Sequence, residues 1–293
     1  MTCTKCKNPA VFLTPRYCKN HFIEYFEGKV LDTIRRYRLI KEEDRIVVAA
    51  SGGKDSTACL HILSKHYKVT ALAIDEGIRG YRAKTLADLK RFCRSRRIKL
   101  HIVSCKKELG KTLDSIATKG KSSCSLCGAM RRHLLNIHAK RLGATVIATG
   151  HNMDDEAQSI MMNFFKNNLA MSARLGPVSG LSQARGFVRR VKPLYHCSEK
   201  ESYVYNHLAG LGTGFNECPY TNDSFRNSVR GIINEWEKIM PGAKKNIIRN
   251  FLKMVPKLRK IHQAGHPRAC AVCGEPCAEK ICIVCKIVTK RHA

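Results

Sequence analysis

The chain has 293 residues, enough for one large core with small appendages or for two domains, and its 53 Lys plus Arg against 23 Asp plus Glu leave a formal charge of +30. A surplus of that size points to a polyanionic partner, nucleic acid above all, whose binding weakens with salt. No stretch approaches the roughly 18 apolar residues of a membrane span and the start, Met-Thr-Cys-Thr-Lys-Cys, has no apolar signal core, so membrane insertion and secretion are not expected and a cytoplasmic location is.

In a reducing compartment the 15 cysteines read as metal ligands or catalytic groups, not disulfides. At the N-terminus Cys3-x2-Cys6 and Cys18-x2-His21 form a four-ligand zinc knuckle over residues 1–28. A domain over 29–165 follows. Its first strand, Val47 to Ala50, breaks into Ser51-Gly-Gly-Lys-Asp-Ser56 and then a helix whose apolar face carries Ala58, Cys59, Ile62 and Leu63. Gly52 and Gly53 permit close backbone approach, the helix end attracts anions and Lys54 adds charge, so this turn is a phosphate cradle. A Walker A loop would need Gly at Val48 and Ser or Thr at Asp55. The run instead resembles the PP-loop of ATP pyrophosphatases, which implies cleavage of ATP between the α and β phosphates.

Further strands are predicted at Lys68 to Asp75, Lys99 to Val103 and Thr145 to Thr149, with a basic helix at Ala83–Arg97, a helical or loop stretch over 105–120 and a helix from about Gly128 to Leu142. Strands alternating with helices imply a doubly wound parallel sheet whose ligands gather at the strand ends Ser51, Asp75, Ser104 and Gly150. Asp75 and a flexible Glu76-Gly77 stand where an adenine or ribose would lie. The pair Cys124-x2-Cys127 is predicted just before a helix and beside Arg131 and Arg132, a setting that favours thiolates. After the fourth strand, Gly150-His-Asn-Met-Asp-Asp-Glu-Ala-Gln158 offers Asp154 and Asp155 as Mg2+ ligands against the phosphates; acids complementing a helix dipole are the alternative.

Residues 166–263 are expected to form a helical extension that binds nucleic acid, opening with a loop or loose ribbon to Val191 that includes the basic cluster Arg189-Arg190-Lys192. Its helices are predicted at Ser198–Leu208, Ser224–Ile239 and Ala243–His262. It carries Cys218, in Asn216-Glu-Cys-Pro-Tyr220, as a conjectural third sulfur for the Cys124/Cys127 pair; a lone Cys before Pro also reads as a buried thiol. Residues 264–293 repeat the metal device: Cys270-x2-Cys273 and Cys282-x2-Cys285 form a second zinc set, with Cys277 left over. Neither terminal segment buries much core, so metal would supply folding energy.

Taken together these motifs resemble the TtuA-type tRNA 2-thiouridine synthetases, a group that includes archaeal and eukaryotic cytosolic thiolases, over nearly the whole chain. The resemblance implies a PP-loop, HUP-like α/β fold, tRNA as the nucleic acid that the 166–263 extension binds, and an enzyme that adenylates the C2 oxygen of a tRNA uridine with ATP and replaces it with sulfur. It implies a [4Fe-4S] cluster on Cys124, Cys127 and Cys218 with one open iron, and an ATP site lined by Ala49, Ala50, Ser51, Gly52, Gly53, Lys54, Asp55, Ser56, Ile74, Arg131 and Gly150. His21 stands where some members carry Cys, a change that zinc tolerates. Without a cluster, a persulfide on Cys124 or Cys127 is the route left for sulfur. The sulfur donor, sulfide or a ubiquitin-like carrier, stays open, as do a possible homodimer and the choice between wobble and T-loop uridine. A tRNA 2-thiocytidine synthetase and a non-catalytic zinc-knuckle RNA-binding or sulfur-relay scaffold are the competing readings.

Overall fold

In the computed structural model, the described residues are 1–117, 123–180, 186–214, 217–221, 224–262 and 268–289. Ser122, Asn216 and the expected domain boundary at 263/264 lie outside them. The N-terminal knuckle is a hairpin, β1 (Phe12–Leu13) and β2 (Arg16–Tyr17), running into α1 (Lys19–Arg36). It is not a separate unit. His21 sits on α1, and the Phe12 ring packs at 4.6 Å from that of Phe22, itself buried in the main core.

The main domain alternates β3 (Ile46–Ala49), α2 (Lys54–His66), β4 (Val69–Asp75), α3 (Arg82–Ser95) and β5 (Lys99–Ser104). Two short helices, α4 (Cys105–Leu109) and α5 (Leu113–Ile116), resolve the ambiguity over most of 105–120. Then come α6 (Ser123–Arg141), β6 (Val146–Thr149), α7 (Met153–Phe165), α8 (Leu169–Ser172), β7 (Val178–Ser179), β8 (Arg189–Val191) and α9 (Glu199–Leu208). The sheet order is β5-β4-β3-β6-β8-β7, parallel except for β7 against β8. Chain order reverses between β3 and β6, the switch point at which such sheets bind ligands.

Helices cover both faces, so the strands are apolar on both sides rather than alternating. Ile46 and Val48 face α1, α2 and α3, whereas Val47 meets Met130, Leu134 and Leu135 of α6. The expected loose ribbon before Val191 in fact contributes β8, a fifth parallel strand, and its antiparallel neighbour β7. This strand was illegible because Arg189-Arg190 on it read as a solvent-facing basic run.

The boundary expected at 165/166 also moves. Helix α9 packs on α1 and α2, with the Tyr205 ring stacked 4.5 Å from Phe26, a pair worth about 0.5–1.5 kcal/mol beyond its buried area. The part that stands apart is α10 (Phe225–Ile239) with α11 (Ala243–Ile261), both packed on α7. A second small ribbon, β9 (Arg268–Ala269), β10 (Pro276–Cys277) and α12 (Ile283–Thr289), docks on α6 through Ala129, Val284 and its buried cysteines. Buried Asn136 of α6 fastens it, donating to Glu275 and to Gly186 O while its own oxygen accepts from Val188 N–H. Among the described residues no helix is long and apolar enough to cross a membrane.

Candidate functional site

The loop after β3 is built by its own hydroxyls. Ser51 N–H donates to Ser56 Oγ at 3.1 Å, Gly53 N–H to Ser51 Oγ at 3.3 Å, and Ser56 Oγ donates to Gly53 O at 3.0 Å. Gly52 has φ +81°, and a Cβ there would stand 2.2 Å from Thr85 O, so only glycine fits. No side chain caps the N-terminus of α2, which leaves its first amides open to an anion. Gly150 brings the end of β6 against this turn: a Cβ on it would lie 2.6 Å from Ser56 N.

Lys54 Nζ lies 3.0 Å from Asp55 Oδ2 and 2.9 Å from Glu199 Oε1, and Glu199 also accepts from Arg230 at 3.1 Å. Partial burial works against the Lys54 charge, but Asp55 and Glu199 outweigh it and raise its pKa above the ordinary lysine value. Helix α9 is clamped here as well, for Asn206 donates to Lys54 O at 2.7 Å. Asn152, the N-cap of α7, accepts from Asp155 N–H at its side-chain oxygen, donates its own N–H back to Asp155 Oδ2 at 3.2 Å and donates its side-chain amide to Asp55 Oδ1 at 3.1 Å.

The two candidate magnesium ligands therefore part company. Asp154 is buried, with Oδ2 accepting Glu199 N–H at 2.7 Å and Oδ1 paired to Lys244 of α11, so its carboxylate fastens the helical extension rather than facing the loop. Asp155 keeps company with Asp55: desolvation and then the Asp55 charge push its carboxyl up to about 6, partly opposed by Arg226. Two carboxylates sharing a cleft form a hard-cation donor set of the kind Mg2+ uses with phosphate oxygens. His151 is held neutral, pushed down to about 3 by desolvation and by Lys192, Arg131, Arg226 and Arg190 around it.

The raised Asp155 value carries a stability consequence. The folded state holds this proton more tightly than the unfolded chain, so stability falls as pH rises from the ordinary value of 3.8 through about 6. Asp155→Asn, which keeps an acceptor for the cap, should melt higher than wild type at pH 8 without Mg2+, by about 1 kcal/mol after discounting for solvent exposure. The gain should vanish near pH 4, and equal melting at both pH values would show that Asp55 and Asp155 do not oppose one another.

Glu76, expected in a flexible turn, is instead a buried hub. It pairs with Arg82 at 2.8 Å and with Arg131 of α6 at 3.2 Å. Arg82, also buried, donates to Ser51 O at 2.6 Å and to Ile74 O at 2.9 Å, so it ties the phosphate loop to the end of β4. Sequence reasoning missed Arg82, Glu199, Arg226, Arg230 and Lys244. Nothing local marks them, because their partners come from distant elements.

Beyond Arg131 lie the thiols. Helix α6 begins at Ser123, not Gly128, so Cys124 and Cys127 sit one turn apart in its first two turns. Cys124 donates to Tyr220 O at 3.1 Å, and Cys127 and Cys218 each lie within the electrostatic reach of Cys124 and of one another. The expected thiolate preference does not hold for Cys127, nor does the Cys218 thiol share it. Desolvation and then Glu76 push Cys127 up to about 12 against the opposing pull of Arg131, and Cys218 is also raised by its burial.

Among the described residues, only the two terminal sets bring all four ligand atoms within 4.8 Å of one another. In the first, Nδ1 of His21 is 3.4 Å from the sulfurs of Cys3 and Cys18, and Cys6 Sγ is 3.7 Å from Cys18 Sγ. In the second, Cys273 and Cys282 sulfurs are 3.8 Å apart. Tetrahedral bonds of about 2.3 Å to sulfur and about 2.0 Å to nitrogen give edges of roughly 3.5–3.8 Å, so both sets fit a single tetrahedral ion. Cys124, Cys127 and Cys218 are spread more widely, as a multinuclear group requires and a single ion does not.

The basic cluster proposed as a docking surface is mostly committed inside the protein. Arg189 pairs with Asp44 at 2.8 Å, and buried Lys192 pairs with buried Glu156 at 2.6 Å. Arg190 alone of the three lacks an acid partner among the described residues.

A doubly wound sheet with an open, lysine-bearing glycine turn at its switch point defines a nucleotide-binding domain of the PP-loop class, with Cys124, Cys127 and Cys218 gathered near it. Residues 24–236 match the family model described as PP-loop domain. The chain is 38% identical to the tRNA-5-methyluridine(54) 2-sulfurtransferase of Pyrococcus horikoshii over 92% of this chain and 86% of that one. It is 33% identical to cytoplasmic tRNA 2-thiolation protein 1 of Aspergillus niger over 98% and 87% of the two chains. Among solved structures, the U34-tRNA thiolase NcsA from Methanococcus maripaludis with its [4Fe-4S] cluster superposes with a TM-score of 0.84 at 33% identity, over 98% of this chain and 95% of that one. The chain belongs to the PP-loop family of tRNA 2-thiolation sulfurtransferases.

Proposed function

We propose that this protein is an ATP-dependent tRNA sulfurtransferase that adenylates the C2 oxygen of a uridine and replaces it with sulfur to give 2-thiouridine. The observation that carries the reading is the Glu76 bridge: through Arg82 it grips the phosphate loop, and through Arg131 it reaches the helix that bears Cys124 and Cys127. Activation and sulfur delivery are thereby held in one rigid cluster, which a reaction needs when an adenylated uridine must meet a nucleophile without first diffusing away.

Uridine O2 is a poor leaving group. Its attack on the ATP α-phosphorus releases pyrophosphate, whose growing charge meets Lys54 and the open amides of α2. Asp55 and Asp155 are the residues that would hold Mg2+ there. Cys124, Cys127 and Cys218 would ligate the [4Fe-4S] cluster, whose chemistry when bound would be to hold inorganic sulfide. Nucleophilic sulfide that adds to C2 of the adenylated uridine would form the C–S bond as the C2–O bond breaks and AMP leaves. The terminal sets, Cys3, Cys6, Cys18 and His21 and Cys270, Cys273, Cys282 and Cys285, would each hold zinc and stabilise the fold. A cytoplasmic site of action fits the reduced state these thiols need.

The test incubates anaerobically reconstituted protein with ATP, Mg2+, sulfide and unmodified tRNA, then digests the tRNA for mass analysis. The expected products are 2-thiouridine or its 5-methyl form with matching amounts of AMP and pyrophosphate, and fragment mapping reports the position. Appearance of 2-thiocytidine would move the protein to the cytidine-modifying enzymes. ATP hydrolysis to ADP, or no thionucleoside at all, would overturn the reading.

A further inference from the structure

A pocket of about 380 Å³ opens between α6, the residues leading into β8 and the C-terminal ribbon. Arg132 and His133 of α6, Arg190 of β8, Phe187 and Ile283 line it, with Phe187 and Ile283 keeping much of their surface exposed; the two acids in its wall, Glu275 and Glu279, are already paired to Lys140 and Lys286. Its two arginines stand out from their neighbours. Arg131, Arg189, Lys140 and Lys192 each have a carboxylate, whereas Arg132 and Arg190 have none among the described residues. Burial and then the facing Arg132 charge lower Arg190 to about 10, so the pair repel one another until an anion enters. The His133 imidazole is held below its ordinary pKa by desolvation, which leaves a neutral ring beside them.

We propose that this pocket takes one unstacked nucleotide of the tRNA, its phosphate between Arg132 and Arg190 and its base against Phe187 and the His133 ring. The proposal rests on the tRNA reading above and adds where the RNA is gripped outside the reacting site. Paired guanidiniums with an exposed aromatic face are the chemistry by which proteins hold splayed bases. The tail of a protein carrier would bring a carboxylate for the arginines but no flat face for Phe187. Arg132 follows Cys127 by five residues, about 7.5 Å along α6 and roughly 140° around it, so an RNA reaching both the thiols and this pocket would wrap past the helix.

The experiment measures binding of labelled unmodified tRNA to the full-length protein across a salt series, for wild type, Arg132→Gln/Arg190→Gln and Phe187→Ala, with ATP binding as the check on folding. The double variant should bind at least tenfold more weakly, with the log–log salt slope reduced by about 1, because the two arginines share one phosphate. Phe187→Ala should lose about 5- to 50-fold with its slope unchanged, because stacking releases no counterions. Ultraviolet cross-linking of the wild-type complex should place a nucleotide on Phe187 or His133 by mass spectrometry, a readout that needs no variant to fold. Wild-type affinity and slope in both variants, or cross-links confined to other segments, would overturn the pocket while leaving the thiolation reading intact. Selective loss of binding to a carrier protein's carboxyl terminus with tRNA binding unchanged would also overturn it. Failure of the wild type to bind or thiolate tRNA would instead fall on the functional reading itself.

Discussion

Lys54→Ala is expected to abolish tRNA-dependent pyrophosphate release and thiolation together, by at least about 100-fold in turnover. The side chain is the cation of the phosphate turn, and its removal leaves Asp55, Glu199 and Asp155 facing an incoming tetraanionic nucleotide with less to offset them. Because the Lys54 side chain is partly solvent-exposed and its ion pairs are small contributors to stability, the variant should fold with nearly wild-type melting. Parallel assays of pyrophosphate release and of thionucleoside content decide it. Retention of either at wild-type rates would remove Lys54 from the activation step and with it the reading of Ser51 to Ser56 as the reacting phosphate site.

Cys218→Ser should separate the two halves of the reaction. The residue lies among Cys124, Cys127, Tyr81 and Arg131, on a segment tied back to the domain by the Cys124 bond to Tyr220 O and by Tyr220 Oη donating to Asp114 at 2.8 Å. Among the described residues, no hydrogen bond or ion pair ties it to the phosphate turn. The variant should therefore keep ATP affinity and slow AMP formation while cluster iron falls and 2-thiouridine disappears, with both zinc sets retained. Anaerobic iron and zinc analysis beside the thiolation assay makes the distinction. Full thiolation with normal iron would show that Cys218 is a buried thiol of no catalytic consequence, and a persulfide on Cys124 or Cys127 would become the better route for sulfur.

The features legible from residues alone were those in which chemistry and local geometry coincide. Val47 to Ser56 signals strand, turn and helix start within ten neighbouring residues, and the knuckles carry their ligands at fixed short spacings, so each could be read without its surroundings. Misreadings arose where a charge meets a partner from elsewhere. Arg189 and Lys192 read as a basic surface run and are paired to acids within the fold; Asp154 also meets Lys244, a partner no local pattern announces; Glu76 reads as a turn residue and is a buried hub. A side chain's charge is visible in the sequence, but its neutralisation is not.

What the sequence by itself determined was the identity of the parts: a parallel sheet with a phosphate turn, two tetrahedral metal sets and three further thiols in motif positions. Backbone propensity, glycine freedom and short-range ligand spacing are local properties, and the chain carries them wherever it folds. Tertiary structure alone decided which parts face each other. It brought the end of β6 against the turn after β3, assigned Asp155 rather than Asp154 to the cleft, and set Glu76 between Arg82 and Arg131 so that the nucleotide side and the thiol side share one ion-paired cluster. The physical reason is that electrostatic pairing and desolvation depend on distances across elements separated by tens of residues, and those distances come from sheet order and helix packing rather than from any local pattern.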